Sequence, residues 1–284
     1  MPETLKRLSV AYSDQPVVIT GGNGFFGRAL ATQVRNFGGI PISIDQAESE
    51  TDTPQFICDI RDADALAETL DEIREAFGPI RFIIANAAMD VTSEAHLLTP
   101  EDWRSIIETN LIGTTNLIAL TYPDMQSASE GDVLIVSSGS AIVSFPFGLP
   151  YTSSKAGQLA LSLGLRTEAK KYGVNVSCAL LPSLCKDDGC MTGVQAGAKG
   201  GADRDGFLNT LPGSAYNVDK AAAAALSGVN KKSARIIFPA SLSLSSRLVG
   251  LFPGFGAAIR SDIAKRFFVV NTQSNSDSSS TNSK

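Results

Sequence analysis

Short apolar runs rich in β-branched residues alternate along the chain with longer segments in which apolar residues recur at helical spacing. The first run covers residues 16–20, and Leu30, Val34 and Phe37 recur behind it as on one face of a helix. Runs that are apolar at consecutive positions are typical of strands that helices cover on both sides. The alternation therefore predicts an α/β fold, a doubly wound and mostly parallel sheet of the Rossmann type in a single domain.

The same pattern sets the bounds of the predicted elements. Strands are expected at residues 16–20, 40–44, 56–58, 80–85, 132–136, 174–181 and 235–238. Helices are expected behind the first strand and at residues 63–77, 100–120, 151–171 and 218–226.

Three regions depart from the alternation. Residues 186–214 are rich in Gly and Asp, which predicts a mobile connection that belongs to the substrate site. Residues 271–284 are almost all Ser, Asn, Thr and Asp, so they are predicted to be disordered. We therefore expect a catalytic domain over residues 1–240, an apolar and basic extension over residues 241–270, and a disordered tail.

The segment at residues 242–268 allows two interpretations. It is apolar with Arg247, Arg260, Lys265 and Arg266 interleaved, and cationic amphipathic helices can lie at a membrane surface. An acidic protein, however, is repelled by anionic lipid. We therefore favour a segment that packs over the substrate pocket and keep membrane contact as the alternative.

Composition and charge argue against several classes of protein. Among the 284 residues, 24 Lys plus Arg stand against 29 Asp plus Glu, so no basic face for nucleic acid is indicated. The single histidine, His96, cannot build a multi-histidine metal site, and the pair Cys185 and Cys190 lacks the second pair that structural zinc needs. No signal peptide or long apolar span is recognisable. These features predict a cytoplasmic protein without a bound metal.

A glycine-rich turn follows the first predicted strand. The segment TGGNGFFG at residues 20–27 leads into the first predicted helix. Glycines at this place allow a tight turn and let backbone N–H groups approach a pyrophosphate, which the helix N-terminus stabilises. The turn predicts a dinucleotide site formed by Gly21, Asn23, Gly24, Phe25, Phe26 and Gly27.

Asp45 closes the second predicted strand. A carboxylate at this position can accept hydrogen bonds from the hydroxyls of an adenosine ribose and repels a 2′-phosphate. The residue favours NAD over NADP. A solvated aspartate at a turn is the simpler alternative.

Tyr151 and Lys155 lie four residues apart at the start of a predicted helix. Positions i and i+4 share a helix face, so the Lys155 ammonium can stabilise the Tyr151 phenolate and lower its pKa. Ser137 and Ser138 end the preceding strand, at the edge where open α/β sheets bind ligands. A serine hydroxyl there could donate a hydrogen bond to a substrate carbonyl oxygen.

Together these motifs resemble the short-chain dehydrogenase/reductase family, of the single-domain type. The resemblance covers roughly residues 15–240. It also rests on Cys58-Asp59-Ile60, Ala85-Asn86-Ala87-Ala88, Thr109-Asn110-Leu111-Ile112-Gly113 and Leu181-Pro182-Ser183. The glycine spacing TGxxGxxG is instead that of the extended, sugar-nucleotide branch, and Ser183 replaces the usual Gly.

The resemblance implies a role for each matching residue. Tyr151 would be the general acid/base, Ser138 would hold the substrate oxygen, and Lys155 would lower the tyrosine pKa and bind the nicotinamide ribose. Asn110 would position a water in a proton relay. The cofactor would be contacted by Asp59 and Ile60 at the adenine, by Asn86, Ala87 and Ala88 at the ribose, and by Pro182, Ser183 and Thr192 at the nicotinamide.

These residues predict an NAD-dependent oxidoreductase that interconverts a secondary alcohol and a ketone. A nucleotide-sugar epimerase or dehydratase is one alternative, and a non-catalytic NAD-binding regulator is another. A substrate with an apolar part is expected, because apolar residues stand near the predicted site at Ile142, Val143, Phe145, Phe147, Leu149, Met191, Phe207 and Leu211. The resemblance also implies a homodimer or homotetramer, with the helices at residues 100–120 and 151–171 at the interface.

Overall fold

The structure is a computed structural model, and it describes residues 13–185, 195–199, 216–252, 254 and 256–267. The strands are β1 Pro16–Thr20, β2 Ile40–Asp45, β3 Gln55–Ile57, β4 Phe82–Ala85, β5 Met89–Thr92, β6 Gly131–Ser138, β7 Val174–Leu181, β8 Leu184–Cys185, β9 Gln195–Ala198, β10 Tyr216–Asn217 and β11 Arg235–Ile237. The α-helices are α1 Phe25–Asn36, α2 Ala63–Phe77, α3 Pro100–Ile107, α4 Gly113–Ala128, α5 Leu149–Ala169, α6 Val218–Asn230, α7 Ala240–Leu251 and α8, residues 256–267. Shorter helical turns lie at Ala95–Leu97, Glu108–Ile112, Gly139–Ala141 and Lys170–Tyr172.

A seven-stranded parallel sheet in the order β11-β7-β6-β4-β1-β2-β3 forms the centre of the fold. The strand order reverses between β1 and β4, because the chain builds β1 to β3 outward and then crosses to the other side. In open α/β sheets ligands bind outside the carboxyl ends of the strands at this reversal. The predicted doubly wound fold is thereby confirmed.

Helices cover both faces of the sheet, which explains the unbroken apolar runs. On β1, Val17 and Ile19 belong to the core shared with α1 and α6, whereas Val18 belongs to the core shared with α2, α4 and α5. Side chains alternate between the faces of a strand, so consecutive apolar residues are buried only when both faces are covered.

The helix predicted at residues 100–120 differs from the observed one. It begins at a capping box in which Thr99 and Asp102 exchange hydrogen bonds, turns through a π-helical segment at Glu108–Ile112, and continues to Ala128. It extends past residue 120 because Thr121 and Met125 are fully buried against the sheet.

Part of the region expected to be a mobile connection is a strand. β9 pairs in parallel with β5, with Met89 opposite Gln195 and Thr92 opposite Ala198. The pairing satisfies backbone groups of β5, which the hydrophobic pattern does not predict. Residues 186–194 and 200–215, which include Thr192, and the predicted disordered tail lie outside the described residues.

The C-terminal extension folds into α7 and α8. Ile263 and Phe267 of α8 are buried against Phe145 and Phe147, and the rings of Phe147 and Phe267 stack at 3.6 Å between centroids and 9° between planes. α8 therefore packs onto the loop before α5. None of the helices that the structure describes is long and apolar enough to cross a bilayer.

Candidate active site

A crevice of about 980 Å³ runs along the carboxyl edge of the sheet. One end is formed by the turn after β1 and the end of β2, the middle by the ends of β4 and β6 and by α5, and the other end by α7 and α8. Its walls include most of the predicted site residues, namely Gly21, Asn23, Gly24, Phe26, Asp45, Ile60, Asn86, Ala87, Ala88, Ser138, Tyr151, Lys155, Pro182 and Ser183. Phe25, Gly27, Asp59 and Asn110 are not among the described residues that line it.

The turn after β1 is packed too tightly for any residue but glycine at two positions. Gly21 has φ +64°, and a Cβ there would lie 2.8 Å from the Cα of Ala87. A Cβ on Gly27, inside α1, would collide with the Gly21 carbonyl oxygen. This packing brings the N-terminus of α1 to the crevice with no acidic side chain in its first turn. The cradle fits a pyrophosphate.

Replacing Gly27 with Ala is expected to lower stability by more than about 2 kcal/mol, because the new methyl group meets backbone that cannot move aside. Gly164→Ala is the matched control, since Gly164 also lies within a helix but has open space around its Cβ position. That control is expected to be neutral or stabilising by up to about 1 kcal/mol. Urea unfolding of both variants checks the prediction, and equal midpoints would contradict it.

Asp45 lies at the crevice wall beside the glycine turn. Its carboxylate accepts hydrogen bonds from the backbone N–H of Asn23 at 3.0 Å and of Gln46 at 2.8 Å. The Asn23 side chain does not face the crevice as a free group, because it donates to Ala47 and Gln55 and accepts from Ser43. Asn23 therefore fixes the loop that carries Asp45.

The segment after β4 holds the glycine turn in place. The Asn86 side chain donates to the carbonyl oxygens of Thr20 at 3.1 Å and Gly21 at 3.0 Å. The Thr20 hydroxyl accepts from the backbone of Asn86. Ala87 and Ala88 have small side chains that leave room in the crevice wall.

Asp59 and Ile60 are neighbours in the sequence, but their side chains have different surroundings. The Asp59 carboxylate is paired with the Arg61 guanidinium at 2.5 Å, and hydrogen bonds from that guanidinium lower the pKa of the carboxyl group. Ile60 and the preceding Cys58 line the crevice instead. The crevice therefore has an apolar wall here.

Tyr151 and Lys155 share one face of α5, as their spacing predicts. The Lys155 Nζ lies 5.4 Å from the centroid of the Tyr151 ring and donates a hydrogen bond to the Val136 carbonyl oxygen at 2.8 Å. Lys155 is only 1% exposed. Burial lowers the pKa of its ammonium to about 8, and the Cys178 thiol and the Asp90 carboxylate oppose that shift.

The two serines at the end of β6 have different hydrogen bonds. The Ser137 hydroxyl donates to the backbone carbonyl of Lys155 at 2.9 Å, which ties α5 to the sheet. The Ser138 oxygen accepts from the backbone N–H of Ser140 at 3.2 Å, so its own hydroxyl proton can point to a ligand. Of the pair, Ser138 is the better donor to a substrate oxygen.

Asn110 lies in the π-helical turn and is fully buried. Its side chain accepts from the Met89 backbone N–H at 2.7 Å and donates to the Met89 carbonyl and to the Ser154 hydroxyl, each at 2.9 Å. Ser154 in turn donates to the backbone carbonyl of Tyr151 at 2.7 Å. Asn110 thus connects β5 to the first turn of α5, and π-helical turns often occur at such functional sites.

Gln158 is a site residue that the motifs do not reveal. It is fully buried, and its amide donates to the Asn110 carbonyl at 2.6 Å and to the Thr114 hydroxyl at 2.9 Å. Thr114 also donates to that carbonyl. The available signal is its spacing, since Gln158 lies three residues after Lys155 and seven after Tyr151, on the same helix face.

The far end of the crevice is apolar. It is walled by Val143, Phe145, Phe147, Leu242, Ile259 and Ile263. Val143, Phe145 and Phe147 are expected there, and Leu242, Ile259 and Ile263 belong to the segment at residues 242–268 that we expect to pack over the substrate pocket. A ligand group that enters this end loses contact with water.

Comparison with known proteins agrees with this geometry. The sequence pattern described as short chain dehydrogenase matches residues 15–188. The acetoacetyl-CoA reductase of Paracoccus denitrificans is 26% identical over 168 residues, covering 56% of this chain and 69% of the reductase. Dehydrogenase/reductase SDR family member 7C of Bos taurus is 29% identical over 130 residues, covering 45% of this chain and 42% of that protein.

Solved structures share the fold. A short-chain dehydrogenase from Streptomyces avermitilis aligns with a TM-score of 0.72 at 20% identity, covering 88% of this chain and 96% of that chain. NAD+-bound xylitol dehydrogenase aligns with a TM-score of 0.65 at 16% identity, covering 77% and 93%. Because the family pattern spans more than half of the chain, the protein belongs to the short chain dehydrogenase family of nicotinamide-dependent oxidoreductases.

Proposed function

We propose that the protein interconverts a secondary alcohol and a ketone with NAD as the hydride carrier and Tyr151 as the general acid/base. The observation that carries the proposal is the Tyr151 and Lys155 pair, placed in the crevice between the glycine turn and the apolar end. A buried cation beside a phenol favours the phenolate, which is the form that accepts a proton.

Each residue at the site has a separate role in the proposed reaction. In reduction, Ser138 donates a hydrogen bond to the substrate carbonyl oxygen, and Tyr151 transfers its phenolic proton to that oxygen as the alcohol forms. In oxidation the phenolate takes the proton back. Lys155 stabilises the phenolate in both directions, and Asn110 and Gln158 hold the first turns of α5 in position. When bound, the nicotinamide supplies or accepts the hydride.

The residues that would hold the cofactor follow the crevice from one end to the middle. The glycine turn would hold the pyrophosphate, Asp45 the adenosine ribose and Ile60 the adenine. Asn86, Ala87 and Ala88 would border the second ribose, and Pro182 and Ser183 the nicotinamide. Thr192 remains a prediction outside the described residues.

The preference for NAD rests on Asp45. Its carboxylate is fixed by two backbone N–H groups at the crevice wall, where it would accept from ribose hydroxyls and repel a 2′-phosphate. Asp45→Asn removes the charge with little change in shape, and we expect the ratio of kcat/KM for NAD to that for NADP to fall at least about tenfold.

Glu48→Gln is the matched control, because Glu48 lines the same end of the crevice and the change removes the same charge. Steady-state assays with both cofactors compare the two variants. A wild-type protein that uses NADP as well as NAD, or a Glu48→Gln effect as large as that of Asp45→Asn, would argue against the role of Asp45.

The experiment that tests the proposed activity is an NAD(H) and NADP(H) assay against steroid, fatty-acyl, sugar and polyol substrates. Turnover of a secondary alcohol or ketone that depends on Tyr151 is the expected result. Neither the family match nor the relatives named above support a nucleotide-sugar epimerase. A non-catalytic regulator is not favoured either, since both Tyr151 and Lys155 are present and adjacent.

A homo-oligomer is also part of the proposal. Trp103 on α3, Ile112 in the π-helical turn and Leu163 on α5 are large apolar side chains with 36%, 44% and 39% exposure. They lie on the helices that were predicted to form an interface, and contact with a second copy would bury them. A cytoplasmic location stays a prediction.

A further inference from the structure

We propose that α7 and α8 form a surface that binds anionic lipid beside the mouth of the substrate pocket. The C-terminal patch consists of Leu244, Arg247, Leu251, Phe252, Arg260 and Lys265, all of them exposed. The proposal does not depend on the reaction that the site catalyses.

The apolar part of the patch is unusual in its exposure. Leu244, Leu251 and Phe252 are 61%, 72% and 60% exposed, whereas the next most exposed large apolar side chain among the described residues, Ile57, is 50% exposed. These three residues fall within nine positions of one another. Single exposed apolar residues are normal on a protein surface, but a cluster marks a binding surface.

Three residues of the patch lie on one face of α7. Leu244, Arg247 and Leu251 follow one another at intervals of three and four residues, which places them on one face of α7. α8 packs against α7 where Gly256 meets Val249, and the Arg260 guanidinium lies at the same junction. α8 therefore brings its own exposed basic residues, Arg260 and Lys265, next to α7.

The charges on this helix pair are opposite to those of the whole protein. Positions 240–267 contain Arg247, Arg260, Lys265 and Arg266 against Asp262 alone, in a chain with net charge -5. Asp262 is paired with Arg266 at 2.7 Å, so the exposed Arg247, Arg260 and Lys265 leave the helix pair with a net positive charge. Apolar side chains interleaved with Lys and Arg match the boundary of an anionic bilayer.

The negative net charge of the protein does not prevent such binding. Charges farther apart than about 8 Å are largely screened at physiological salt, so the local charge of the patch decides its interaction with lipid headgroups. Basic residues near an anionic leaflet are attracted to its headgroups. The acidic character of the whole protein therefore does not exclude contact with lipid, because the helix pair itself is positively charged.

The opposite side of the same helices walls the substrate end of the crevice. Leu242, Ile259 and Ile263 line the pocket, and Ala258 and Asp262 are both exposed and part of its lining. The pocket therefore reaches solvent beside α8. Packing over the pocket and contact with lipid are compatible, because on α7 the pocket residue Leu242 and the exposed residues Leu244, Arg247 and Leu251 lie on different faces.

A lipid surface suits the patch better than a second copy of the chain. A symmetric contact between two copies would bring the same patch onto itself, and Arg247, Arg260 and Lys265 would face their own like charges. A bilayer instead offers acyl chains to the apolar residues and anionic headgroups to the basic ones.

Sedimentation of the full chain with vesicles tests the proposal. We expect binding to vesicles of phosphatidylcholine with phosphatidylserine and weaker binding to phosphatidylcholine alone. Arg247→Glu and the double change Leu251→Ser with Phe252→Ser are each expected to weaken binding to the anionic vesicles at least about fivefold. Both variants should keep the thermal midpoint of the wild type, since the side chains are exposed.

Two matched controls lie outside the patch. Ile57→Ser removes an exposed apolar side chain and Lys231→Glu reverses an exposed charge, and neither should change vesicle binding. Equal sedimentation with and without anionic vesicles would overturn the proposal, as would patch variants that bind as well as the wild type. Self-association that the double change abolishes, without vesicle binding, would assign the patch to a second copy instead.

Discussion

Tyr151→Phe is expected to reduce kcat by about 10²–10⁴-fold, because the change removes the hydroxyl that exchanges a proton with the substrate oxygen and leaves the ring in place. The affinity for NADH should stay within about twofold, since the glycine turn and Asp45 are untouched. Steady-state kinetics with the best ketone and titration of protein fluorescence with NADH provide the two measurements.

Tyr172→Phe is the matched control for this loss. Tyr172 lies in the helical turn after α5, its ring is near the Lys171 ammonium at 4.6 Å, and it does not line the crevice. The same chemical change there should leave kcat unaltered. If Tyr151→Phe retained the wild-type kcat, another group would have to be the general acid/base, and the proposed mechanism would be wrong.

Lys155→Met is expected to abolish turnover. Its free energy of unfolding relative to that of the wild type is expected to be higher at neutral pH than at high pH. The Lys155 ammonium is fully buried, and burial lowers its pKa from 10.5 to about 8. A shift of that size corresponds to roughly 3 kcal/mol of cost for keeping the charged form in the folded protein. The methionine side chain fills a similar volume and carries no charge to bury.

The sign of the expected change follows from how the stability of the wild type depends on pH. Below pH 8 the lysine is charged in the folded and the unfolded protein, and the wild type bears the full cost. Between about pH 8 and 10.5 the folded protein releases the proton first, so the unfolded chain binds more protons and wild-type stability rises with pH. The advantage of Lys155→Met should therefore shrink by about 2–3 kcal/mol between pH 7 and 10.

Urea unfolding of the wild type and the variant at both pH values measures the change. The lost hydrogen bond to the Val136 carbonyl lowers the stability of Lys155→Met at every pH, so the difference between the two pH values is the decisive quantity. The exposed Lys231→Met serves as a control for the loss of a positive charge. A difference between wild type and Lys155→Met that does not vary with pH would show that Lys155 has an ordinary pKa in the folded protein.

Features that depend on local order could be predicted from the sequence. The alternation of apolar runs predicted where the strands lie along the chain. The glycine turn identified one end of the site, and the spacing of Tyr151 and Lys155 identified its middle. Each of these signals lies within one strand, one turn or one helix face. The residues that determine each signal therefore lie within a short stretch of sequence.

The roles of several predicted site residues depended on hydrogen-bond partners outside their own motifs. Asp59 turns to Arg61 instead of lining the crevice, and the Asn23 side chain serves the β2–β3 loop. Asn110 uses its side chain to join Met89 to Ser154. A motif shows which residue type is present, but hydrogen bonds to other elements decide whether that side chain faces a ligand.

The doubly wound sheet, the glycine turn and the placement of Tyr151 and Lys155 on one helix face could be read from the sequence alone, because hydrophobic period, glycine geometry and helix spacing are short-range properties. The tertiary packing was needed to show that Gln158 bonds to Asn110, that β9 pairs with β5, and that Phe267 of α8 stacks on Phe147. These contacts join residues far apart in the chain. Which residues meet depends on how the elements pack, and that packing cannot be predicted from a local sequence pattern.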